Sequence, residues 1–343
     1  MNNAIEIDGS IGEGGGQVLR SSLSLSMFLK QPFTIKNIRA GRPRPGLMRQ
    51  HITAVKAAAK ICNAKVKGAE ISSLKIEFYP GKVQSGTYKF DVGSAGSTTL
   101  VLQTLLPVLM VADGTTEISL SGGTHNQYSP PLDFLVNSYL RQINKMGPKV
   151  SVDLTAYGFY PVGAGMFTVK IDPAKELKQI EILSRGKNIS KKAFAYSSKI
   201  NEEIGENEMK IVAKKFGWLK ENCKSVMVES PGPGNVVLLI DENEHTTEVF
   251  TGFGRKQYSL KKVVADAITE YTEYIQSEVP VYKYLADQMI IPMILAGAGR
   301  FITSEPSLHT LTNIKVVKKF LEVDISINQL NQNQWQVDIS SKK

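Results

Sequence analysis

Three stretches of this chain can be laid over one another, and that self-similarity limits what it can fold into more than any other feature. They are Gly16-Gln17-Val18-Leu19-Arg20-Ser21, Leu102-Gln103-Thr104-Leu105-Leu106-Pro107 and Asp287-Gln288-Met289-Ile290-Ile291-Pro292. Each places a Gln in an apolar helical run, and the second and third carry Pro four residues later. A β-rich segment follows each: Phe33-Thr34-Ile35, Glu117-Ile118-Ser119-Leu120 and Arg300-Phe301-Ile302-Thr303. Next comes a second amphipathic helix, with apolar positions at helical spacing: Met48, Ile52, Val55 and Ala59, then Leu132, Val136, Tyr139 and Ile143, then Leu311, Ile314, Val317 and Leu321. Strand-like alternation closes the pattern, as in Lys149-Val150-Ser151-Val152-Asp153-Leu154. The unit reads as βαβαββ. A repeat of this kind cannot bury its apolar faces alone, so the copies must pack on one another.

Three units around one axis would turn equivalent helix N-termini inward, where free N–H groups favour anions. Arg39, Arg42, Arg49 and Gln50 fall at that location in the first copy, His125, Asn126 and Pro130 in the second, and His309 in the third. Shared turn chemistry would account for any one of these residues taken alone.

The stretch from Arg185 to Ser277 interrupts the repeat. It holds 14 basic and 13 acidic residues, whereas the remainder carries 27 and 19 and so most of the net charge of +9. It reads as a helix over 199–218, a strand hairpin around Pro231-Gly232-Pro233-Gly234, and a long helix with Val264, Ile268, Tyr271 and Ile275 on one face. The expected architecture is therefore α/β: a large three-repeat domain over 1–184 and 278–343, with a small α/β domain, 185–277, inserted before the third repeat. A degenerate fourth repeat is the alternative for that stretch.

A content of 42% hydrophobic and 21% charged residues is that of a globular protein. The longest apolar run, Leu100 to Ala112, is too short to span a bilayer and contains Gln103 and Pro107, and the first residues have no leader-like pattern, so an intracellular, cytoplasmic protein without membrane contact is expected. Cys62 and Cys223 form no metal-binding or disulfide pattern. The excess positive charge suits a polyanionic partner, and the sequence leaves homo-oligomerisation open.

Gly12-Glu13-Gly14-Gly15-Gly16-Gln17-Val18-Leu19-Arg20 invites a phosphate-loop reading, but no Gly-Lys-Ser/Thr follows, and Gln17 stands where a dinucleotide fingerprint needs its last Gly. It is a Gly-rich turn entering a helix, and Gly93-Ser94-Ala95-Gly96-Ser97 repeats it in the second copy. Of the four histidines, His51 reads as structural and His245, in an acidic loop, as solvated; His125 is a candidate for lining the site. His309 has the strongest claim, because a neutral imidazole nitrogen beside arginines can attack phosphorus and pass the group on. A packing or capping role is the competing reading for His309.

These residues resemble the RNA 3′-terminal phosphate cyclases over essentially the whole chain. The matching blocks are Ile7-Asp8-Gly9 through Arg20, Ile38-Arg39-Ala40-Gly41-Arg42-Pro43 through Ala54, Gly122-Gly123-Thr124, Pro130-Pro131, Gly158-Phe159-Tyr160-Pro161, Leu285-Ala286-Asp287-Gln288, and His309 with Thr312-Asn313. The resemblance implies conversion of an RNA 3′-phosphate to a 2′,3′-cyclic phosphate with ATP as co-substrate, through a covalent histidinyl-AMP on His309 and an RNA-(3′)pp(5′)A intermediate. It implies that Glu13 holds Mg²⁺ or Mn²⁺, that Gln17, Gln103 and Gln288 contact the nucleotide phosphate, and that Arg20, Arg39 and Arg42 receive phosphates, including that of the RNA end. Tyr284 and Pro130 would sandwich the adenine, and Asp287 would help place the reacting groups. The chain departs from the family pattern at Tyr157, where a basic residue is usual, and at Gly163-Ala164-Gly165, where three glycines are usual.

The alternatives are a non-catalytic cyclase-like RNA-binding protein of ribosome assembly, which would lack the nucleophilic His, and an enolpyruvyl-transferase-like enzyme of similar repeat architecture. Lysine-based nucleotidyl transfer is disfavoured because no Lys-x-Asp-Gly occurs.

Overall fold

The structure, a computed structural model, describes residues 4–341. The domain limits read from the sequence also take in residues 1–3, 342 and 343, which lie outside the described residues.

The first unit runs β1 (Ile5–Asp8), α1 (Gly16–Leu29), β2 (Phe33–Lys36), α2 (Arg49–Cys62), β3 (Lys65–Lys67) and β4 (Ile76–Tyr79). The second runs β5 (Thr87–Asp91), α3 (Thr98–Leu109), β6 (Thr116–Gly122), a helix made of α4 (Leu132–Phe134), a π-helical stretch (Leu135–Tyr139) and α5 (Leu140–Lys145), then β7 (Lys149–Ala156) and β8 (Gly165–Asp172). The third begins with β9 (Ile180–Ile182). After an interruption it resumes with α8 (Lys283–Leu295), β14 (Ala298–Thr303), α9 (Leu308–Phe320), β15 (Val323–Asn331) and β16 (Gln334–Ser341).

The three sheets share one order, β1-β2-β4-β3, β5-β6-β8-β7 and β9-β14-β16-β15, each with one parallel pair followed by two antiparallel ones. The helices close a ring. The first helix of each unit packs on the second helix of the unit before it: α3 on α2, α8 on the π-helical stretch, and α1 on α9. Serines make the close approach of α1 feasible. Ser21, Ser22, Ser24 and Ser26 are all buried, and Ser24 Oγ donates to the Thr104 carbonyl of α3 at 2.6 Å.

The interruption contains β10 (Asn188–Ser198), α6 (Glu203–Phe216), β11 (Cys223–Met227), β12 (Gly234–Asn243), β13 (Thr247–Phe253) and α7 (Leu260–Ser277). Its sheet has the order β11-β10-β12-β13, in which the parallel pair's first strand, not its second, joins the antiparallel ones, so it is not a fourth copy of the unit. The Pro231-Gly232-Pro233-Gly234 turn does not close a hairpin. It carries the chain from β11 across β10 to β12, and the hairpin forms between β12 and β13. Because successive strand residues face opposite sides, Val236, Leu238 and Ile240 join the core shared with the repeat units. Val237 and Leu239 face a second core, with Phe250, Val264, Tyr271 and Tyr274. The first strand of the third unit, β9, precedes this inserted sheet and pairs in parallel with β14 beyond it.

Cys62 and Cys223 are buried and free. Among the described residues, no helix is long and apolar enough to cross a membrane.

Candidate active site at the closing seam of the ring

The Gly-rich turn ahead of α1 sits against the first turn of α9. Gly12 has φ +65, a left-handed conformation that glycine adopts freely, and a Cβ there would come within 1.9 Å of Thr312 Oγ1. The Glu13 backbone N–H donates to that same hydroxyl at 3.4 Å. At Gly15 a Cβ would fall 2.1 Å from Glu13 Oε1 and 2.9 Å from Arg42 Nη2, so the missing side chain leaves room for the carboxylate and its partner.

His309 is oriented through one ring nitrogen. Nδ1 lies 2.6 Å from Gln17 Oε1, and because a carbonyl oxygen only accepts, Nδ1 carries the proton. In the neutral ring the lone pair is then on Nε2, 3.2 Å from Glu13 Oε2. The same carboxylate oxygen accepts from Arg42 Nη2 at 2.6 Å. Burial lowers the His309 pKa; Glu13 opposes that shift, while Arg20 and Arg42 add to it. Those influences favour the unprotonated form that nucleophilic attack needs.

Beneath the imidazole, the three repeat-equivalent glutamines meet. Gln17 of α1, Gln103 of α3 and Gln288 of α8 line one cavity of about 20 Å³, room for about one water molecule, together with Arg20, Tyr139, Asp287 and Asn313. Pro107 and Pro292 line it too, and each lacks the N–H that the carbonyl four residues back, of Gln103 or Gln288, would accept in an unbroken helix. The meeting point is a polar floor. Burial brings Arg20 down to about 10 against the pull of Asp287 and Glu13, which leaves the guanidinium charged at neutral pH. Burial lifts Asp287 to about 8, with Arg20 pulling the other way and Glu13 adding to the rise. Asn313, one helical turn beyond His309, fixes the geometry: it accepts from Ser21 Oγ at 2.5 Å and donates to the Asp287 carbonyl at 2.8 Å.

The other candidates are arranged around this centre. Arg39, at φ +57, turns back on its own loop and donates to the carbonyls of Arg44 at 2.6 Å and Gly46 at 2.9 Å. That loop reaches the Gly-rich turn through the Gly41 N–H, which donates to the Gly14 carbonyl at 3.2 Å. Tyr284 lies one turn before Asp287 and Gln288 on α8 and is partly exposed, with its hydroxyl donating to Glu270 at 2.6 Å. Pro130 precedes α4, and its carbonyl accepts from Thr99 Oγ1 at 2.7 Å, one turn before Gln103 on α3. The structure thus joins Glu13, Gln17, Arg20, Arg42, Gln103, Asp287, Gln288 and His309 through bonds or a shared cavity, with Arg39, Pro130 and Tyr284 on flanking segments.

Two histidines are occupied elsewhere. His125 is buried, with Nε2 2.6 Å from Asp133 and Nδ1 2.8 Å from Thr124, and its ring stacks on Tyr157. His51 is buried beneath Gly16, where desolvation first, then Arg20 and Arg39, push its pKa down to about 3. Thr312 and Asn313 stood in the sequence only as part of a matching block. Their spacing of three and four residues from His309 on one helix face was the signal for their supporting roles.

Among the described residues there is no group of three or more His, Cys, Asp or Glu that could hold a metal ion. A hard divalent cation that binds with phosphate needs only one or two carboxylates from the protein, so the Glu13 carboxylate fits the part of a single protein ligand.

An imidazole with an unprotonated nitrogen beside guanidinium groups could attack phosphorus. The family model for RNA 3′-terminal phosphate cyclase matches residues 11–327, and the chain belongs to that family. It is 43% identical, over 341 residues, to the RNA 3′-terminal phosphate cyclase of Koribacter versatilis (strain Ellin345), covering 99% of this chain and 96% of that relative.

Proposed function

We propose that this chain converts an RNA 3′-phosphate to a 2′,3′-cyclic phosphate at the expense of ATP. The observation that carries the reading is the orientation of His309: Nδ1–H is spent on Gln17, which leaves Nε2 to face the Glu13 carboxylate and the Arg42 guanidinium. Nε2 attacks the α-phosphorus of ATP and pyrophosphate departs, leaving AMP on the ring. An oxygen of the RNA 3′-phosphate then takes the AMP from the imidazole, and the neighbouring 2′-hydroxyl displaces AMP as it closes the ring. A phosphate monoester has a poor leaving group, whereas the mixed anhydride has a good one, so this order of steps makes cyclisation feasible.

In this reading Arg20 and Arg42 stabilise the charge that gathers on phosphate oxygens. Arg39 fixes the loop that presents Arg42 and offers its remaining donors to the RNA end. Gln17, Gln103 and Gln288 contact the nucleotide phosphate from the floor, Asp287 positions Arg20, and Tyr284 and Pro130 enclose the adenine. Glu13 would hold Mg²⁺ or Mn²⁺, which neutralises phosphate charge when bound. Residues 185–277 form a small inserted domain, and 1–184 with 278–343 the large one; the separate sheet and second core support that division. A cytoplasmic location belongs to the same reading, supported by two free cysteines.

The test is self-labelling with α-labelled ATP. Wild-type protein should acquire a protein–AMP bond that acid cleaves and alkali does not, as a phosphoramidate requires, and His309→Ala should acquire none. Full labelling of His309→Ala would remove His309 as the nucleophile. A protein that binds RNA but never labels would favour the non-catalytic, cyclase-like role in ribosome assembly.

A further inference from the structure

The two most exposed large hydrophobic side chains among the described residues are Tyr128, at 95%, and Tyr160, at 76%. They stand on adjoining loops beside the site. The N–H groups of Thr124 and His125 both donate to the Gly158 carbonyl, at 3.0 and 3.1 Å, and His125 bridges to Phe159 in parallel register. Asn126 Nδ2 donates to the Ala95 carbonyl, and Gly163 packs against Ala95 from the other loop. Both loops therefore rest on the turn over 93–97.

That turn is fastened to the start of α2. Arg49 Nη1 donates to the Gly93 carbonyl at 2.6 Å, and Gln50 Oε1 accepts from the Ser97 N–H at 2.9 Å. The next residue, His51, packs under Gly16 of the catalytic turn. A series of contacts thus links the turn of Glu13, through the start of α2 and the turn over 93–97, to the loops that carry the two tyrosines.

The tyrosines are exposed without being loose. Tyr128 has φ +63, a strained backbone for a bulky residue, and its segment is fixed on one side by the Asn126–Ala95 bond and on the other by the Thr99–Pro130 bond. Across the other loop, the Gly163 N–H donates to the Phe159 carbonyl at 2.6 Å, closing a tight turn around Tyr160. Two exposed aromatic side chains on anchored backbones, linked by contacts to a loop that carries arginines, suit a chain bearing phosphates and unpaired planar bases. Stacking of that kind ignores sequence, because every base has a π-face.

We propose that Tyr128 and Tyr160 form a stacking platform for unpaired bases upstream of the RNA 3′-phosphate. The platform sets a preference for single-stranded ends, since bases inside a duplex present no free face. It rests on the reading of the chain as an RNA cyclase and adds to it the part of the RNA that is gripped.

The test uses full-length Tyr128→Ala, Tyr160→Ala and the corresponding Phe variants. Each is assayed for self-labelling by ATP and for cyclisation of a single-stranded 3′-phosphorylated oligoribonucleotide, and of the same strand made abasic upstream of its end. Each Ala variant should label at the wild-type rate while its KM for the normal strand rises about tenfold. The Phe variants should stay close to wild type, and the Ala penalty should vanish on the abasic strand. Unchanged KM in labelling-competent Ala variants would overturn the proposal, as would a Phe penalty equal to that of Ala or a penalty that persists on abasic RNA. If the wild-type protein made no cyclic ends, the cyclase reading would fall and the platform with it, an outcome distinct from the other three.

Discussion

Arg39 and Arg42 are three residues apart on one loop and are engaged in different ways. Arg39 spends Nη1 on two carbonyls of its own loop, whereas Arg42 reaches across to Glu13 with a side chain that is 43% exposed. Only Arg42 can swing to an incoming dianion without unmaking its loop. Arg42→Ala should therefore keep much of its self-labelling while its rate of RNA cyclisation at subsaturating substrate falls roughly ten- to a hundredfold, the range set by losing charge-assisted hydrogen bonds. Glu13→Ala should lose both activities. Wild-type cyclisation by Arg42→Ala would detach that loop from the RNA phosphate. At this scale the sequence was legible where a residue's repeat position predicted its place: the three glutamines aligned along the chain meet in one cavity. It was illegible where a partner decides. His125 and His309 both lie between the second strand and the second helix of their units as read from the sequence, but Asp133 holds the first in an isolated bridge in the core, and Gln17, 292 residues away from His309, orients the second in the first turn of α9. Ala164, at φ +52, holds a left-handed backbone that the glycine expected there from the resemblance would adopt more freely.

The join between the inserted sheet and the third unit depends on β13 and the start of α8. Glu248 on β13 is buried and accepts from the Tyr282 N–H at 2.7 Å, and its surroundings raise its pKa from 4.5 to about 8, chiefly by desolvation, with Asp241 adding and Arg185 opposing. A carboxyl whose folded pKa lies above its unfolded one binds more protons when folded, so its contribution to stability is full below about 4.5 and lost as the pH rises through about 8. Glu248→Gln retains a carbonyl for Tyr282 and has nothing to titrate. Its unfolding midpoint should fall less than that of wild type between those two pH values, measured by thermal melts across the range, and an unchanged slope would show that Glu248 stays ionised. Strands such as β7 and β8 were legible from alternation, yet β9 was not assignable to its sheet. Three residues carry little pattern, and the partner strand lies beyond the inserted segment. The Pro-Gly turn misled for a related reason: it announces a change of direction, and tertiary packing decides which strands become neighbours.

At the scale of the molecule, Val236, Leu238 and Ile240 of β12 and Val249 of β13 join the insert to the core of the ring, and the opposite face of its sheet carries a second core that also takes in Val279 and Tyr282. Leu239, fully buried in that outer core, tests whether the two parts unfold together. Leu239→Ala should lower stability by about 2–5 kcal/mol, and hydrogen exchange should show amides of β10, β12 and β13 losing protection while those of α1 and α3 keep theirs. Uniform loss throughout would mean one cooperative unit and no separate inserted domain. The three-unit body was legible because each unit repeats a recognisable order of elements. Their arrangement around one axis followed from the repeat, but the helix pairing at the closing seam did not, because nothing local says that α1 packs on α9. That seam carries a consequence for synthesis. Glu13 and Gln17 leave the ribosome early and His309 near the end, so for most of its translation a nascent chain holds only one half of the site and cannot assemble it. Adenylylation would then report that the last unit has arrived and docked, and a chain truncated before α9 would be inert toward ATP however well its first two units had folded.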